Sequence, residues 1–261
     1  MKSDRQTLLI WILRLLSVIV IFVVAELSIE FRLLSPIFLS KPSESFISLF
    51  NLFRTGIVFE LLYQTLLPLS VAFVLSIIIG IYLGIIIGSV KLLREGIEPF
   101  VAIFFSIPKV LLVPIFWSIF GFSLEYKIAY SLVHGLPPIL INVIAMAAST
   151  EESHLKIAKL YLASRLQIYQ KIVLPAIIFG LLASLRMALN LCLIGVIIAE
   201  MFVGTTGIGF ALRQYASTFK TPEFYALIYL LVTISVSVNL ILLGLEKRIV
   251  ARRALRPVLR V

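Results

Sequence analysis

The sequence predicts an all-α integral membrane protein with six transmembrane helices. Two observations carry that expectation. Of 261 residues, 61% are hydrophobic and only 14% charged, whereas soluble domains average ~45–50% apolar and ~25% charged. The apolar residues also gather into six runs, at 7–27, 62–89, 99–121, 127–148, 176–201 and 224–245, each near the ~20 residues that a helix needs to cross hydrocarbon.

A formal charge of +10 could suggest nucleic acid, but the placement of the cations points to lipid. If both termini share one side, Lys2, Arg5, Lys91, Arg94, Lys156, Lys159, Arg165, Lys171, Lys247, Arg248, Arg252, Arg253, Arg256 and Arg260 lie there. Arg32, Lys41, Arg54, Lys127, Arg213 and Lys220 fall on the other. The positive-inside rule then makes both termini and the 149–175 loop cytoplasmic. The basic tail 247–261 reads as a topology anchor near anionic lipid, with no nucleic-acid partner. The basic start and long apolar run at the N-terminus, with no small-residue cleavage site after it, read as an uncleaved first span.

In chain order, Arg14 lies two turns into the first span, within snorkelling reach of the interface. Residues 28–61 form the longest external segment, and Phe46, Leu49, Phe50 and Phe53 recur there at the spacing of a short interfacial helix. The second span carries Gly80, Gly84 and Gly88 at intervals of four, a smooth strip for close approach of a helix from this chain or from a second copy. The third contains Pro108 and Pro114, each expected to bend it. Lys109 stands beside the first, either snorkelling or lining a pathway.

The fourth span has Pro137-Pro138, with Tyr130, His134 and Asn142 on one face, expected to line a gap between helices. Two histidines without nearby carboxylates or cysteines make no metal site. In the fifth, Arg186 and Asn190 face one side, Cys192 is a lone buried hydrophobe with no disulfide or redox partner, and Glu200 lies near the outer end. The sixth offers Ser235, Ser237 and Asn239 for hydrogen bonds between helices.

The stretch 149–175 is different. Ser149 with Glu152, and Ser164 with Gln167, make two capping boxes and predict two short helices meeting near Ala163. On the first, Glu152, Lys156, Lys159 and Ala163 form a narrow polar stripe. The rest is apolar: Leu155, Ile157, Ala158, Leu160, Tyr161 and Leu162 cover more of the circumference than a surface helix leaves bare, so the element is expected to dock.

These residues carry a resemblance. Lys156-Ile157-Ala158-x3-Leu162, followed by Ile172-Val173-Leu174-Pro175, is similar to the EAA loop of ABC importer permeases, with Lys156, Ile157 and Leu162 replacing its Glu, first Ala and Gly. Gly80 to Gly84, Ile107-Pro108-Lys109, Pro137 to Leu140, and Ala199-Glu200-Met201 with Gly207-Ile208-Gly209 resemble the branch serving nitrate, sulfonates, taurine and related compounds. The resemblance implies a type I, MetI-like permease fold in the bacterial inner membrane. It divides the chain into an N-terminal span and external segment (1–61), a permease core (62–246) holding the coupling loop, and a tail (247–261).

It also implies partners: two ABC ATPase subunits inside, a solute-binding protein outside, and a second membrane half, either another copy of this chain in a homodimer or a related chain. ATPase coupling falls to Leu155, Lys156, Ala158, Lys159, Tyr161, Leu162 and Pro175. The candidate pathway residues are Lys109, Tyr130, His134, Asn142, Arg186, Asn190 and Glu200, with Gly80, Gly84 and Gly88 for packing. No G-x-x-x-x-G-K-[ST] phosphate loop is present, so ATP is expected to be hydrolysed elsewhere. No cofactor, metal or enzymatic constellation is expected. A non-transporting membrane scaffold is the alternative, disfavoured by prolines and polar groups at depth.

Overall fold

The computed structural model describes residues 2–149, 164, 167 and 174–254 and, among the described residues, contains helices and no strands. The helices are α1 (Lys2–Glu30), α2 (Pro42–Arg54), α3 (Ile57–Ser89), α4 (Lys91–Ser106), a 3-10 turn (Lys109–Leu112), α5 (Val113–Phe120), α6 (Leu124–Ala148), α7 (Leu174–Phe202), α8 (Ile208–Ser217) and α9 (Thr221–Ala254). Five are long and apolar enough to span a membrane, and the α4–α5 pair makes a sixth if counted as one broken span. The chain forms two compact units, Met1–Leu61 with Ala211–Thr233, and Leu62–Phe210 with Ile234–Val261.

In the first unit α1 ends because the chain curls back: the N–H groups of Leu33 and Leu34 donate to the Ser28 carbonyl at 2.8 and 3.1 Å, with Arg32 in the left-handed region at φ 56°. Helix α2 is the short helix expected from the phenylalanine spacing. Its start carries Pro42 at the first helical position, where the missing N–H costs nothing. The Glu26 carboxylate accepts from the Ser43 N–H and hydroxyl at 3.1 and 2.6 Å, serving as the cap that Lys41 does not provide. The Glu30 carboxylate beside Lys41 holds that ammonium's pKa above its ordinary value. Phe22, Phe46 and Tyr229 cluster with ring centroids 5.3–5.8 Å apart.

In the second unit, close backbone approach organises the packing. A Cβ added at Gly80 would lie 2.7 Å from Ile139 Cγ2, one at Gly84 2.6 Å from Val143 Cβ, and one at Gly88 2.5 Å from the Ile144 carbonyl. The glycine strip of α3 therefore lies directly on α6 of the same chain. Helix α7 closes on α6 by the same means, since a Cβ at Gly195 would meet Ser131 Cα at 2.8 Å, and the Ser131 hydroxyl donates to the Cys192 carbonyl at 2.9 Å. Around these contacts Ile139, Val143, Ala147, Leu181 and Ala188 form a buried cluster, with Phe73, Ile77, Ile81 and Ile85 against it.

The third span departs from expectation. Rather than one bent helix over 99–121, α4 and α5 are separate and meet at 91°. Ile107 is extended (φ −65°, ψ 130°), as a residue before proline must be, and Pro108 follows at ψ 103°. Pro114 bends nothing, because it sits in the first turn of α5, where a proline is tolerated. The intrahelical prolines are Pro68, Pro99, Pro137 and Pro138 among the described residues.

The glycine contacts make a quantitative test. Gly84→Val overpacks α3 against Val143 and is expected to destabilise by about 1–3 kcal/mol, read as a lower Tm of the detergent-solubilised protein. Gly96→Ala, where an added Cβ meets nothing within 4 Å, should leave the Tm unchanged or raise it slightly, since Ala is the better helix former. Equal losses at both sites would show that the strip is not a packing contact.

Candidate functional site

Among the described residues, the most highly bonded polar cluster joins α3, α6 and the turn between α7 and α8. Glu200 is fully buried and Lys127 is 7% exposed, with Lys127 Nζ 2.9 Å from Glu200 Oε1. Two ions leave water at a cost of several kcal/mol each unless every lone pair and proton finds a partner. Here they do. The Thr65 hydroxyl is 2.9 and 3.1 Å from the two carboxylate oxygens, and the Gly209 N–H donates to Oε2 at 2.9 Å. Lys127 also donates to the Thr206 carbonyl at 2.9 Å and its hydroxyl at 3.3 Å.

The turn is pinned from α3 as well. Gly207 N–H donates to Gln64 Oε1 at 2.8 Å, and Ile208 N–H to Thr65 Oγ1 at 2.9 Å. Gly207 has φ +99°, and a Cβ there would run into the Glu200 carboxylate, so only glycine fits. A cavity of about 200 Å³ adjoins the cluster, lined by Gln64, Phe122, Tyr126, Lys127, Gly204 and Thr206 among others.

This corrects one assignment: Lys127, counted above as an external-loop cation, lies inside α6, whose start is capped by the Ser123 hydroxyl accepting from Tyr126 N–H at 3.3 Å. Sequence reasoning did not pair it with Glu200, because the two are 73 residues apart. The one available signal was that a carboxylate deep in an apolar run needs a cation.

The residues expected to line a gap are split by the structure. Tyr130 and His134 come together but are buried, with ring centroids 4.7 Å apart. Tyr130 donates to the Lys109 carbonyl at 3.0 Å, and His134 Nδ1–H to the Tyr130 carbonyl at 2.9 Å. Lys109 Nζ donates to Phe105 O at 3.1 Å and stands 4.9 Å over the Phe105 ring. Asn142, by contrast, is exposed and donates to Pro138 O at 2.9 Å.

Arg186 lies 3.1 Å from Glu246 on α9, a partner the sequence did not suggest. One turn along, the Asn190 and Asn239 amides pair reciprocally at 2.9 and 3.3 Å. The Ser235 hydroxyl reaches Asn190 Oδ1 at 3.4 Å. Asn190 and Ser235 line a second cavity, of about 360 Å³, between α3, α7 and α9.

Of the proposed coupling residues, Leu155, Lys156, Ala158, Lys159, Tyr161 and Leu162 lie outside the described residues, as do Glu152 and the first capping box. Pro175 is the second residue of α7. The second capping box is formed: Ser164 N–H donates to Gln167 Oε1 at 2.9 Å and Gln167 N–H to Ser164 Oγ at 3.3 Å.

Helices long and apolar enough to cross a membrane, with paired ions and amides between them, define a polytopic membrane protein. The chain belongs to the family described as binding-protein-dependent transport system inner membrane component, which matches residues 76–254. It is 27% identical to the formylaminopyrimidine transport permease protein of Halalkalibacterium halodurans over 67% of this chain and 70% of that one. It is 25% identical to the taurine transport system permease protein of Escherichia coli over 84% and 81%. A nitrate import permease protein of Leptolyngbya laminosa is 28% identical over 61% of this chain and 58% of its own.

Among solved structures, the inward-facing MetNI methionine ABC transporter superposes with a TM-score of 0.63 at 21% identity, over 75% of this chain and 95% of that one. The fold is therefore the MetI-like permease fold. The chain is a multi-pass inner-membrane subunit of an ABC importer and not itself an enzyme.

The buried pair is tested by comparing single and double variants. Lys127→Met strands the Glu200 carboxylate and should cost about 3–5 kcal/mol, seen as poor membrane yield and a lowered Tm. Lys127→Met combined with Glu200→Gln removes both charges and should recover part of that loss. A double variant as unstable as the sum of the two singles would show that the ions do not act as a pair.

Proposed function

We propose that two copies of this chain form the translocation pathway of an ATP-driven importer for a small solute, such as nitrate, a sulfonate, taurine or a related compound. The solute is handed over by a solute-binding protein, and the ATPases dock on 149–175 through Leu155, Ala158, Tyr161 and Leu162, with Lys156 and Lys159 on the solvent stripe and Pro175 closing the element. Both termini are cytoplasmic in this reading, 1–61 is an accessory span with its external segment, 62–246 is the core, and 247–261 anchors to lipid. The observation that carries it is the family match over 76–254, which contains the whole docking stretch. The relatives named for nitrate and taurine transport support the solute class. Asn190, beside a cavity within the core, is the pathway candidate that the geometry favours.

The docking claim predicts an ordering of variants. Ala is the smallest residue on the apolar arc, so Ala158→Asp would bury an unpaired carboxylate at roughly several kcal/mol, weakening association about a hundredfold or more at ~1.4 kcal/mol per decade. Lys156→Glu changes an exposed charge worth about 0–1 kcal/mol. Pull-down of the ATPase from detergent extracts at equal permease abundance should fail for the first and survive for the second, and equal retention would remove 149–175 as the coupling surface. For topology, a cysteine at Ser153 should react with an impermeant maleimide only in opened cells, and labelling of intact spheroplasts would reverse the orientation.

A further inference from the structure

The larger cavity says something about the solute itself. It is bounded by α3, α7 and α9, has a volume of about 360 Å³ and is lined mainly by apolar side chains, among them Phe73, Leu189 and Leu193. Its polar lining groups are Ser70, Asn190 and Ser235, and none of the residues that line it is charged. That composition, a mostly apolar wall with a few placed polar groups, is the usual chemistry of a small-molecule site.

The hydrogen bonds already made there determine what is left to offer. The Ser70 hydroxyl donates to Leu66 O at 2.7 Å, and that of Ser235 to Asn190 Oδ1 at 3.4 Å, so each serine presents oxygen lone pairs as acceptors. Asn190 uses one amide N–H on Asn239 at 3.3 Å, and its second has no partner among the described residues. The wall thus presents one donor and two acceptors. An anion would find no counter-charge on it, and a charge so placed is strongly disfavoured. A hydrocarbon chain would leave the amide unsatisfied. A flat ring can lie against Phe73.

We propose that this cavity binds the transported solute, and that the solute is an uncharged, ring-sized molecule bearing an adjacent hydrogen-bond donor and acceptor rather than an inorganic or sulfonate anion. The inference rests on the reading of the chain as an importer permease and replaces the solute class suggested there, because nitrate, sulfonates and taurine each carry a negative group that this wall has no cation to pair. The acceptor atom of the ring takes the Asn190 N–H, and its donor goes to a serine oxygen.

The test is equilibrium binding of radiolabelled uracil, cytosine and nicotinamide to the permease–ATPase complex in nanodiscs, with nitrate and ethanesulfonate as competitors. The expected result is saturable binding of at least one ring compound that neither anion displaces. Ser70→Val, which leaves the asparagine pair intact, should weaken it about fivefold, the effect of one neutral hydrogen bond, and Asn190→Leu should abolish it. Absence of binding by all three rings, binding unchanged in both variants, or displacement by an anion overturns the inference. ATP-driven uptake of nitrate or ethanesulfonate that persists in Ser70→Val and Asn190→Leu would overturn it while leaving the transporter reading in place. Failure of any ATPase to co-purify would remove both.

Discussion

An ammonium and a carboxylate placed together inside a membrane protein are stable only when everything around them is committed to them, and that requirement shapes one end of the second unit. Lys127 and Glu200 draw Thr65, Thr206 and the amide of Gly209 into a single network, so α3, α6 and the α7–α8 turn cannot shift against one another without exposing a charge to apolar surroundings. Low local dielectric strengthens the satisfied bonds and raises the penalty for any that break. The turn inherits its shape from this. Gly207 adopts φ +99° against the carboxylate because the network, rather than local propensity, sets the path of the backbone.

Away from that end, the same helices are held by proximity instead of charge. Lipid gives little hydrophobic drive for one apolar helix to prefer another, so dispersion at short range must do the sorting. Gly80, Gly84 and Gly88 let α3 rest on Ile139, Val143 and Ile144, and Gly195 lets α7 rest on Ser131 of α6. Helix α6 is therefore the common neighbour, which is consistent with its being the most buried of the spanning helices: 56% of its apolar window is covered, against 33% for those of α3 and α7.

Much of this was legible in the sequence where the signal is local. The apolar runs, the glycine strip, the Ser164/Gln167 box and the helix over the phenylalanines at 46–53 all follow from spacing within a few residues. The break at Pro108 was legible only as a bend, because a proline specifies a lost hydrogen bond and an extended predecessor but not the angle at which the chain resumes. The misplacement of Lys127 has another cause. A cation at the edge of an apolar run satisfies a loop rule by position, and only a partner 73 residues away shows that it is inside. Tyr130 and His134 share a face as their spacing requires, yet that face meets Phe116 and the α4–α5 break, because periodicity defines a face and says nothing of what covers it.

The polar groups of α7 show how satisfaction divides structure from function along one helix. Glu200 accepts from an ammonium, a hydroxyl and an amide and has no exposed surface, so it has nothing left to offer a passing solute. Ten residues earlier, roughly 15 Å along the axis at 1.5 Å per residue, Asn190 is half-buried, pairs with Asn239 through part of its amide and borders open volume. Intramembrane polarity alone does not distinguish these two residues, since either would count as costly and therefore useful. What separates them is residual bonding capacity: the group whose partners are complete holds helices in place, and the group whose partners are incomplete is the one available to a ligand.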